Sequence, residues 1–312
     1  MINTECQYSP TLRGVLKHAE SMARHVSWRA GGVAERTYAP ADLQDLQAFL
    51  RSNSTTKDLY FVGLGSNLLV RDGGVQATVV FTHWALREIR LLHAGDTDIT
   101  IYAEAGLASP KVARFAAMHN AQGAEFLAGI PGTVGGALAM NAGCYGSETW
   151  ELVQSVRTLD RAGVLRERPS SDYAIAYRSV RAVKDSQEEW FIGVTFRIPC
   201  GDGQKSRYKI RELLSKRIAS QPLQQPNAGS VFRNPPGDHA ARLIEACGLK
   251  GRRMGSETGG AEISQKHSNF IVNTGGASAA DIEALIGLAQ STVREKFGVE
   301  LECEVRIIGE RA

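Results

Sequence analysis

Five short segments of this 312-residue chain hold residue types able to do chemistry. The first, Val62-Gly-Leu-Gly-Ser-Asn-Leu-Leu-Val70, sets Gly63, Leu64, Gly65, Ser66 and Asn67 in a tight turn between apolar stretches. Glycines let backbone N–H groups approach an anion closely, and Ser66 and Asn67 add side-chain donors. The usual dinucleotide fingerprint continues into a helix with a third glycine. This segment continues into a strand, so an anion-binding turn of another kind and an ordinary glycine turn both fit. The second segment, Ala128 to Gly146, carries glycines at 129, 132, 135, 136, 143 and 146. Six glycines in eighteen positions suit neither a helix nor a strand, because glycine loses the most backbone entropy on ordering. Ile130, Val134, Leu138 and Met140 are too apolar for a free surface loop. The expectation is close approach to something flat or phosphorylated, with Pro131 stiffening the loop and Thr133 and Asn141 as donors to phosphate.

The third segment, Tyr173-Ala-Ile-Ala-Tyr-Arg-Ser179, ends an acidic and polar stretch and sets Arg178 between hydroxyl residues. Its planar fork suits a carboxylate or a phosphate, although taken alone it reads as a surface arginine. The fourth, Pro226-Asn-Ala-Gly-Ser-Val-Phe-Arg-Asn-Pro235, sets Ser230 in a turn between a glycine and a hydrophobic pair. It lacks a Gly-x-Ser-x-Gly elbow and a histidine at a recognisable offset, so acyl transfer is not indicated. Ser230 then either donates a proton or caps the turn. In the fifth, Glu302 and Glu304 share a strand face by period-two spacing, with Glu300 before them, and alone they read as a solvated face. Lys266-His-Ser-Asn-Phe-Ile-Val-Asn273 reads as a strand with a polar entrance that lines a cleft or ends a loop.

The intervening sequence must position these groups. Ala41 to Arg51 puts Leu43, Leu46, Phe49 and Leu50 on one helical face and leads into an apolar strand at Leu59 to Val62. Val79-Val-Phe81 is a second strand beyond a Gly73-Gly74 turn, and Ile99, Ile101 and Ala103 alternate with polar neighbours as in a half-buried strand. Ser109-Pro110 predicts an N-cap and a first-turn proline for a helix that buries Val112, Phe115 and Ala116. Tyr208 to Ile218 reads as helical, Gln221-Pro-Leu-Gln-Gln-Pro226 breaks the pattern, and a boundary near residue 200 opens a third unit. Ser278-Ala-Ala-Asp281 predicts a capping box for a helix with Ile282, Leu285, Ile286, Ala289, Val293 and Phe297 on one face. Alternation at Val299, Leu301, Cys303 and Val305 predicts a terminal strand with the glutamates opposite.

The length suggests two or three compact units with room for a cleft between them. With 43% hydrophobic and 22% charged residues the balance is that of a globular protein. No apolar run approaches a membrane span. Glu5, Arg13, Lys17, His18, Glu20 and Arg24 interrupt the first thirty residues, so a secretory signal is not expected and the cytoplasm is. A net charge of +3 is too mild to imply nucleic acid but leaves room for an anionic substrate. Cys6, Cys144, Cys200, Cys247 and Cys303 are odd in number and scattered, without CxxC pairing, and read as reduced structural thiols. The dispersed histidines give a metal site no support.

Taken in order, Trp28-Arg-Ala-Gly-Gly32, Gly63 to Val70, Gly129-Ile-Pro-Gly-Thr-Val-Gly-Gly136, Asn141-Ala-Gly-Cys-Tyr-Gly146, Tyr177-Arg-Ser179, Asn227-Ala-Gly-Ser-Val-Phe232 and Glu304-Val-Arg-Ile-Ile-Gly309 resemble the motifs of the MurB family of flavin-dependent reductases. The resemblance runs from about Val26 to Glu310. It implies an α/β (α+β) flavoprotein of the vanillyl-alcohol-oxidase (PCMH) type. Residues 1–90 would form a first FAD-binding subdomain, rejoined by a terminal strand from 299–312; residues 91–200 would form the second, and 201–298 a substrate-binding domain. It also implies that FAD is held by Gly63, Leu64, Gly65, Ser66 and Asn67, by Gly129, Ile130, Pro131, Gly132, Thr133, Gly135 and Gly136, and by Asn141, Ala142, Gly143 and Arg306.

By the same resemblance NADPH reduces the flavin, and hydride then passes from N5 to C3 of the enolpyruvyl ether of UDP-N-acetylglucosamine, a step of peptidoglycan precursor synthesis. Arg178 would hold the developing charge at the substrate carboxylate, Glu304 would assist at the same centre, and Ser230 would protonate C2. Glu304 is preferred to Glu302 by position alone, immediately before Val-Arg-Ile-Ile-Gly. The short stretch between Arg178 and Ser230 lacks the tyrosine-bearing loop of one branch of the family. Tyr177, Arg233, Asn234, Lys266 and His267 are the candidates for the diphosphate or sugar. A monomer is compatible with this reading, and neither a membrane nor a nucleic-acid partner is expected.

Two other readings compete. Another FAD-dependent oxidase or dehydrogenase of the same superfamily explains both glycine segments, but it does not need Tyr177-Arg-Ser179, Ser230 and Glu304 together. A non-catalytic nucleotide-sugar-binding homologue would lack the acid or the arginine, and here all three residues are present.

Overall fold

Adjacent residues of a strand point to opposite faces, and in the strand Val75–Phe81 every residue but Gln76 is buried, on both faces. Val79 packs with Met22, Val26, Ala34 and Val62 on one side, and Val80 with Tyr38, Leu46, Phe49 and Leu59 on the other. This strand is accordingly internal to a four-stranded sheet in the order Val15–Ser21, Val33–Ala39, Val75–Phe81, Leu59–Val62. The last three strands run parallel, and the first is antiparallel to its neighbour. Helix α1 (Leu43–Ser52) covers the second face, with Asp42 as its N-cap accepting from Asp45 N. The helix-to-strand step expected over residues 41–62 is present. The computed structural model describes residues 12–53, 58–184, 187–256 and 259–312. Glu5 and Cys6, used above for the N-terminus and the thiols, lie outside the described residues.

A second, antiparallel sheet runs in the order Leu165–Pro169, Val153–Asp160, Glu189–Pro199, Asp98–Glu104, Ile89–Ala94. Its inward residues Ile99, Ile101, Ala103, Val194, Phe196 and Ile198 share a core with helices α2 (Ser109–Met118) and α3 (Val134–Ala139). Ser109 does not cap α2. Ala108 holds the N-cap position without a side-chain bond, Ser109 is the first helical residue, and its buried hydroxyl has no partner among the described residues. Pro110 still sits where its missing N–H costs nothing. The second glycine segment is also more regular than expected, since Gly135 and Gly136 lie inside α3. A Cβ at Gly135 would stand 2.9 Å from that of Ala105, so the entropy cost is offset by close packing of α3 on the end of the strand Asp98–Glu104.

Helix α4 (Gly203–Ser220) is capped by Asp202, which accepts from Gln204 N and Lys205 N. It buries Ile210 in the core of the five-stranded sheet. The unit expected to begin at 201 therefore does not include α4 in its packing; the chain leaves the second layer only at Gln221.

The third layer pairs the short strands Arg253–Met254, Ala261–Ile263 and Ile271–Asn273 with helices α5 (Ala240–Ala246) and α6 (Ala279–Phe297). The capping box of α6 forms as expected, Gly298 ends the helix in the left-handed conformation, and Ile282, Leu285, Ile286, Ala289 and Val293 are buried. Phe297 is 38% exposed, and its ring meets the cations of Arg242 and Lys296 in place of the core. Only Ile271–Asn273 of the segment from Lys266 is strand; the residues before it turn around Ser264, whose Oγ accepts from Lys266 N and His267 N. The terminal strand is shorter than its alternation suggests. Arg306–Ile308 pairs in parallel with Leu68–Val70 in the first layer, while residues 299–305 meet one bridge, Cys303 with Phe232. No helix among the described residues is long and apolar enough to cross a membrane.

Trp28 joins the first and third layers. It is fully buried among Leu69, Ile271, Ile282 and Leu285, its Nε1 donates to Ile271 O (2.7 Å), and its own carbonyl accepts from Asn273 Nδ2 (2.9 Å). Alongside, Arg71 forks onto Glu283, and the Asp72 carboxylate accepts from Ala279 N and Ala280 N at the start of α6. Trp28→Ala should cost about 3–5 kcal/mol through the cavity and the Ile271 carbonyl left unpaired, whereas Ser278→Ala should cost about 1 kcal/mol as an ordinary cap loss. Urea unfolding of both variants checks this, and similar small losses in the two would show that Trp28 is not the tie between layers.

Candidate active site

The hairpin Tyr173–Ala176 and Ser179–Ala182 leaves Tyr177 and Arg178 as its two-residue turn. Arg178 has φ +54°, a left-handed conformation uncommon for a long side chain. Its guanidinium fixes it there. Nε donates to Glu304 Oε1 (2.8 Å), Nη1 to Asn141 O (3.2 Å) and Nη2 to Gly143 O (3.0 Å), and the ring of Tyr177 lies 4.9 Å beneath. The side chains of Arg178 and Glu304 are 13% and 17% exposed, so water screens the pair weakly. Glu302 goes elsewhere. Its side chain is 76% exposed and pairs at 3.5 Å with Arg233, so the structure separates two glutamates that period-two spacing had put on one face.

Asn141 is fully buried, and its amide is consumed internally: Nδ2 donates to Glu148 Oε2 (2.6 Å) and Ala176 O (3.2 Å), and Oδ1 accepts from Trp150 N (3.2 Å). Its side chain is therefore not available to a phosphate. It ties the glycine segment to the Arg178 hairpin instead. The next residue, Ala142, accepts from Thr149 N and Oγ1 through its carbonyl.

Ser230 enters the same neighbourhood through backbone pairing. Val231 O accepts from Glu304 N (2.8 Å) and Arg233 N donates to Glu302 O (2.9 Å), so the serine is one residue from the main-chain partner of Glu304. Asn227 caps the turn before it, with Oδ1 accepting from Gly229 N (3.0 Å), and the serine hydroxyl is left out of that task.

The two glycine segments face each other. A Cβ at Gly63 would collide with Thr133 Oγ1, one at Gly65 (φ +59°) with His25 O, and one at Gly132 would stand 3.2 Å from Ser66 Oγ. None of the N–H groups of Leu64, Gly65, Ser66 or Gly132 donates to a described residue. A glycine-lined meeting of turns with free N–H donors suits a pyrophosphate. Thr133 Oγ1 itself accepts weakly from Gly136 N (3.4 Å) as the cap of α3. Asn67 also looks inward, with Nδ2 donating to Glu304 O (3.0 Å) and its carbonyl accepting from Arg306 N (3.0 Å). Arg306 is exposed beside it, and Gly129 packs against Cys144 and Tyr145.

Among the remaining candidates, Tyr177 and Arg233 touch Arg178, the latter through Nη2 to Arg178 O (3.4 Å). Asn234 accepts from Ala240 N at the start of α5, Lys266 Nζ donates to Ile218 O, and His267 packs edge-on against Phe270. Lys266 lines a separate cleft of about 410 Å³ with Gln221, Gln225 and Ser264. Three residues escaped the sequence reading. His83 lies beside the Gly63 backbone, burial pushes its pKa below the usual histidine range, and its buried Nδ1 has no partner among the described residues. Glu148 anchors Asn141, and Asn269 brackets Phe232. No spacing rule marks any of them, since Asn269 acts through backbone groups distant in sequence and Glu148 through the side chain of Asn141.

Comparison with known proteins agrees with this geometry. A family model described as UDP-N-acetylenolpyruvoylglucosamine reductase, C-terminal domain, matches residues 221–308, and an FAD binding domain model matches residues 34–167. The UDP-N-acetylenolpyruvoylglucosamine reductase of Thiobacillus denitrificans is 58% identical, with 97% of this chain and 95% of that protein covered. That of Nitrosospira multiformis is 54% identical, covering 99% and 92%. The crystal structure of the Thermus caldophilus reductase superposes with a TM-score of 0.75 at 28% identity, over 95% of this chain and 98% of that one. The chain thus joins an FAD binding domain to the C-terminal domain of this group of enzymes, and it belongs to the UDP-N-acetylenolpyruvoylglucosamine reductase family.

Proposed function

We propose that this chain reduces the enolpyruvyl ether of UDP-N-acetylglucosamine to UDP-N-acetylmuramate, with FAD held where the Gly63–Asn67 and Gly129–Thr133 segments meet and NADPH as the reductant. The observation that carries this reading is the weakly screened Arg178–Glu304 pair beside the backbone of Ser230. The free N–H groups of Leu64, Gly65, Ser66 and Gly132 are donors that fit the pyrophosphate of FAD, and the unpartnered Nδ1 of His83 beside Gly63 is a further polar group for it. Bound FAD supplies two-electron hydride chemistry, so the chain's own residues must manage charge and the proton.

Hydride arriving at C3 of the substrate leaves negative charge at C2, spread into its carboxylate. Arg178 meets that charge with a guanidinium already oriented by Glu304, Asn141 O and Gly143 O, so little reorganisation is needed as the charge develops. Ser230 gives its hydroxyl proton to C2. A hydroxyl is a weak acid, but a developing carbanion is basic enough to take its proton. Glu304 keeps Arg178 on its rotamer and closes the site from the C-terminal segment. Tyr177 and Arg233 stand beside Arg178 as contacts for the rest of the substrate.

Residues 1–90 with 299–312, and 91–220, form the two FAD-binding subdomains in this reading, and 221–298 the substrate-binding unit. The packing of α4 supports moving the second limit from 200 to 220. A soluble nucleotide-sugar substrate puts the reaction in the cytoplasm, as a step toward peptidoglycan precursors.

Anaerobic stopped-flow separates the half-reactions. Ser230→Ala should leave flavin reduction by NADPH within about twofold of the parent and slow reoxidation by the enolpyruvyl nucleotide about 100-fold or more; equal losses in both would remove the proton-donor role. Arg178→Lys keeps the charge and loses the fork, so kcat/KM for the nucleotide should fall about 10- to 100-fold with FAD affinity unchanged. Near-normal turnover would make the arginine peripheral. Gly63→Ala forces Thr133 away and should weaken FAD binding about tenfold or more in a flavin-fluorescence titration; unchanged affinity would move the cofactor away from these turns.

A further inference from the structure

Ser230 lies between a turn and a clamp. Gly229 has φ +76°, with nothing within 4 Å of where its Cβ would be, so the turn before the serine is held by the buried Ala228 and the Asn227 cap and not by contacts at Gly229 itself. The chain leaving the serine is clamped. On one side, Val231 and Arg233 pair with Glu304 and Glu302. On the other, one residue stands in for a strand: Asn269 O accepts from Val231 N (2.9 Å), Asn269 Oδ1 from Phe232 N (3.0 Å), and Asn269 Nδ2 donates to Phe232 O (2.8 Å). A single carboxamide thus satisfies both backbone groups of a residue only 2% exposed. Asn269 is itself buried, with its N–H donated to His267 Nδ1 (3.3 Å) and the preceding Ser268 bonded to Ala241 O.

We infer that Asn269 is the positioning residue that aims the Ser230 hydroxyl, an inference that rests on the proton-donor role proposed above. It touches no reacting atom and acts through Val231 and Phe232. Asn269→Asp keeps the shape and the acceptor for Phe232 N, but it sets a carboxylate oxygen against Phe232 O in a buried place. Phe232 must then shift, and Ser230 with it.

In the FAD-loaded full chain, Asn269→Asp should reduce with NADPH within about twofold of the parent rate, while reoxidation by the enolpyruvyl nucleotide slows about tenfold or more, the scale of a small misplacement of a reacting group. The double variant Ser230→Ala/Asn269→Asp should reoxidise no more slowly than Ser230→Ala alone, because aim is worthless once the hydroxyl is gone. A merely structural asparagine would lower the rate further in the double variant. That result, or normal reoxidation in Asn269→Asp, overturns the inference. Normal reoxidation in Ser230→Ala removes the proton-donor reading itself, and the inference falls with it. Should the aspartate variant fail to fold or bind FAD, Asn269→Gln, which moves the donor and acceptor outward by one methylene, carries the same outcomes.

Discussion

The salt bridge between Arg178 and Glu304 is the constraint on which the arrangement of this protein depends. Either charge alone, at 13% or 17% exposure, would be costly to hold away from water. The pair is tolerable because the remaining guanidinium donors reach Asn141 O and Gly143 O. Three distant stretches of chain must therefore converge: the hairpin turn at 177–178, the end of the second glycine segment, and the C-terminal segment at 304. That last segment can reach the site because Arg306–Ile308 is anchored on Leu68–Val70, and Asn67 grips the carbonyl of Glu304. The first glycine turn and the charge pair are in this way parts of one rigid object.

The same economy appears on the other side of the site. Trp28 enters the third layer from the first and is bonded at both its indole and its carbonyl. The strand Ile271–Asn273 that receives it begins two residues after Asn269, the residue that brackets Phe232. Movement of the third layer relative to the glycine turns would therefore also displace Ser230. Hydride and proton must reach adjacent carbons of one substrate, and a shared framework of this kind suits that demand better than independently mobile units.

Much of the fold was legible where burial follows period. Helices α1 and α6 and the strand Asp98–Glu104 were readable because their apolar residues recur at helical or strand spacing. Legibility failed where tertiary contact overrode local preference. Gly135 and Gly136 read as loop residues but are helical, and at Gly135 a larger residue would keep α3 from approaching Ala105. Ser109 read as a cap but lies one position inside its helix. Residues 299–305 alternate like a strand, yet their partner is only the short stretch after Ser230. The site was legible as a set of motifs, and spacing could not decide between Glu302 and Glu304; their difference in exposure comes from where the hairpin of Arg178 happens to lie. Asn269 and His83 were unreadable, because a carboxamide replacing a strand and a histidine buried beside a glycine turn leave no periodic trace.

The central claim is that electrons reach the enolpyruvyl carbon from a flavin held between the two glycine segments. A single-turnover experiment tests it most directly: the FAD-loaded protein is reduced photochemically in the absence of oxygen and nicotinamide, then mixed with the enolpyruvyl ether of UDP-N-acetylglucosamine. The account predicts return of the oxidised flavin spectrum with one equivalent of UDP-N-acetylmuramate formed per flavin. A flavin that stays bleached with that substrate, and regains its colour only on admission of oxygen, would contradict it.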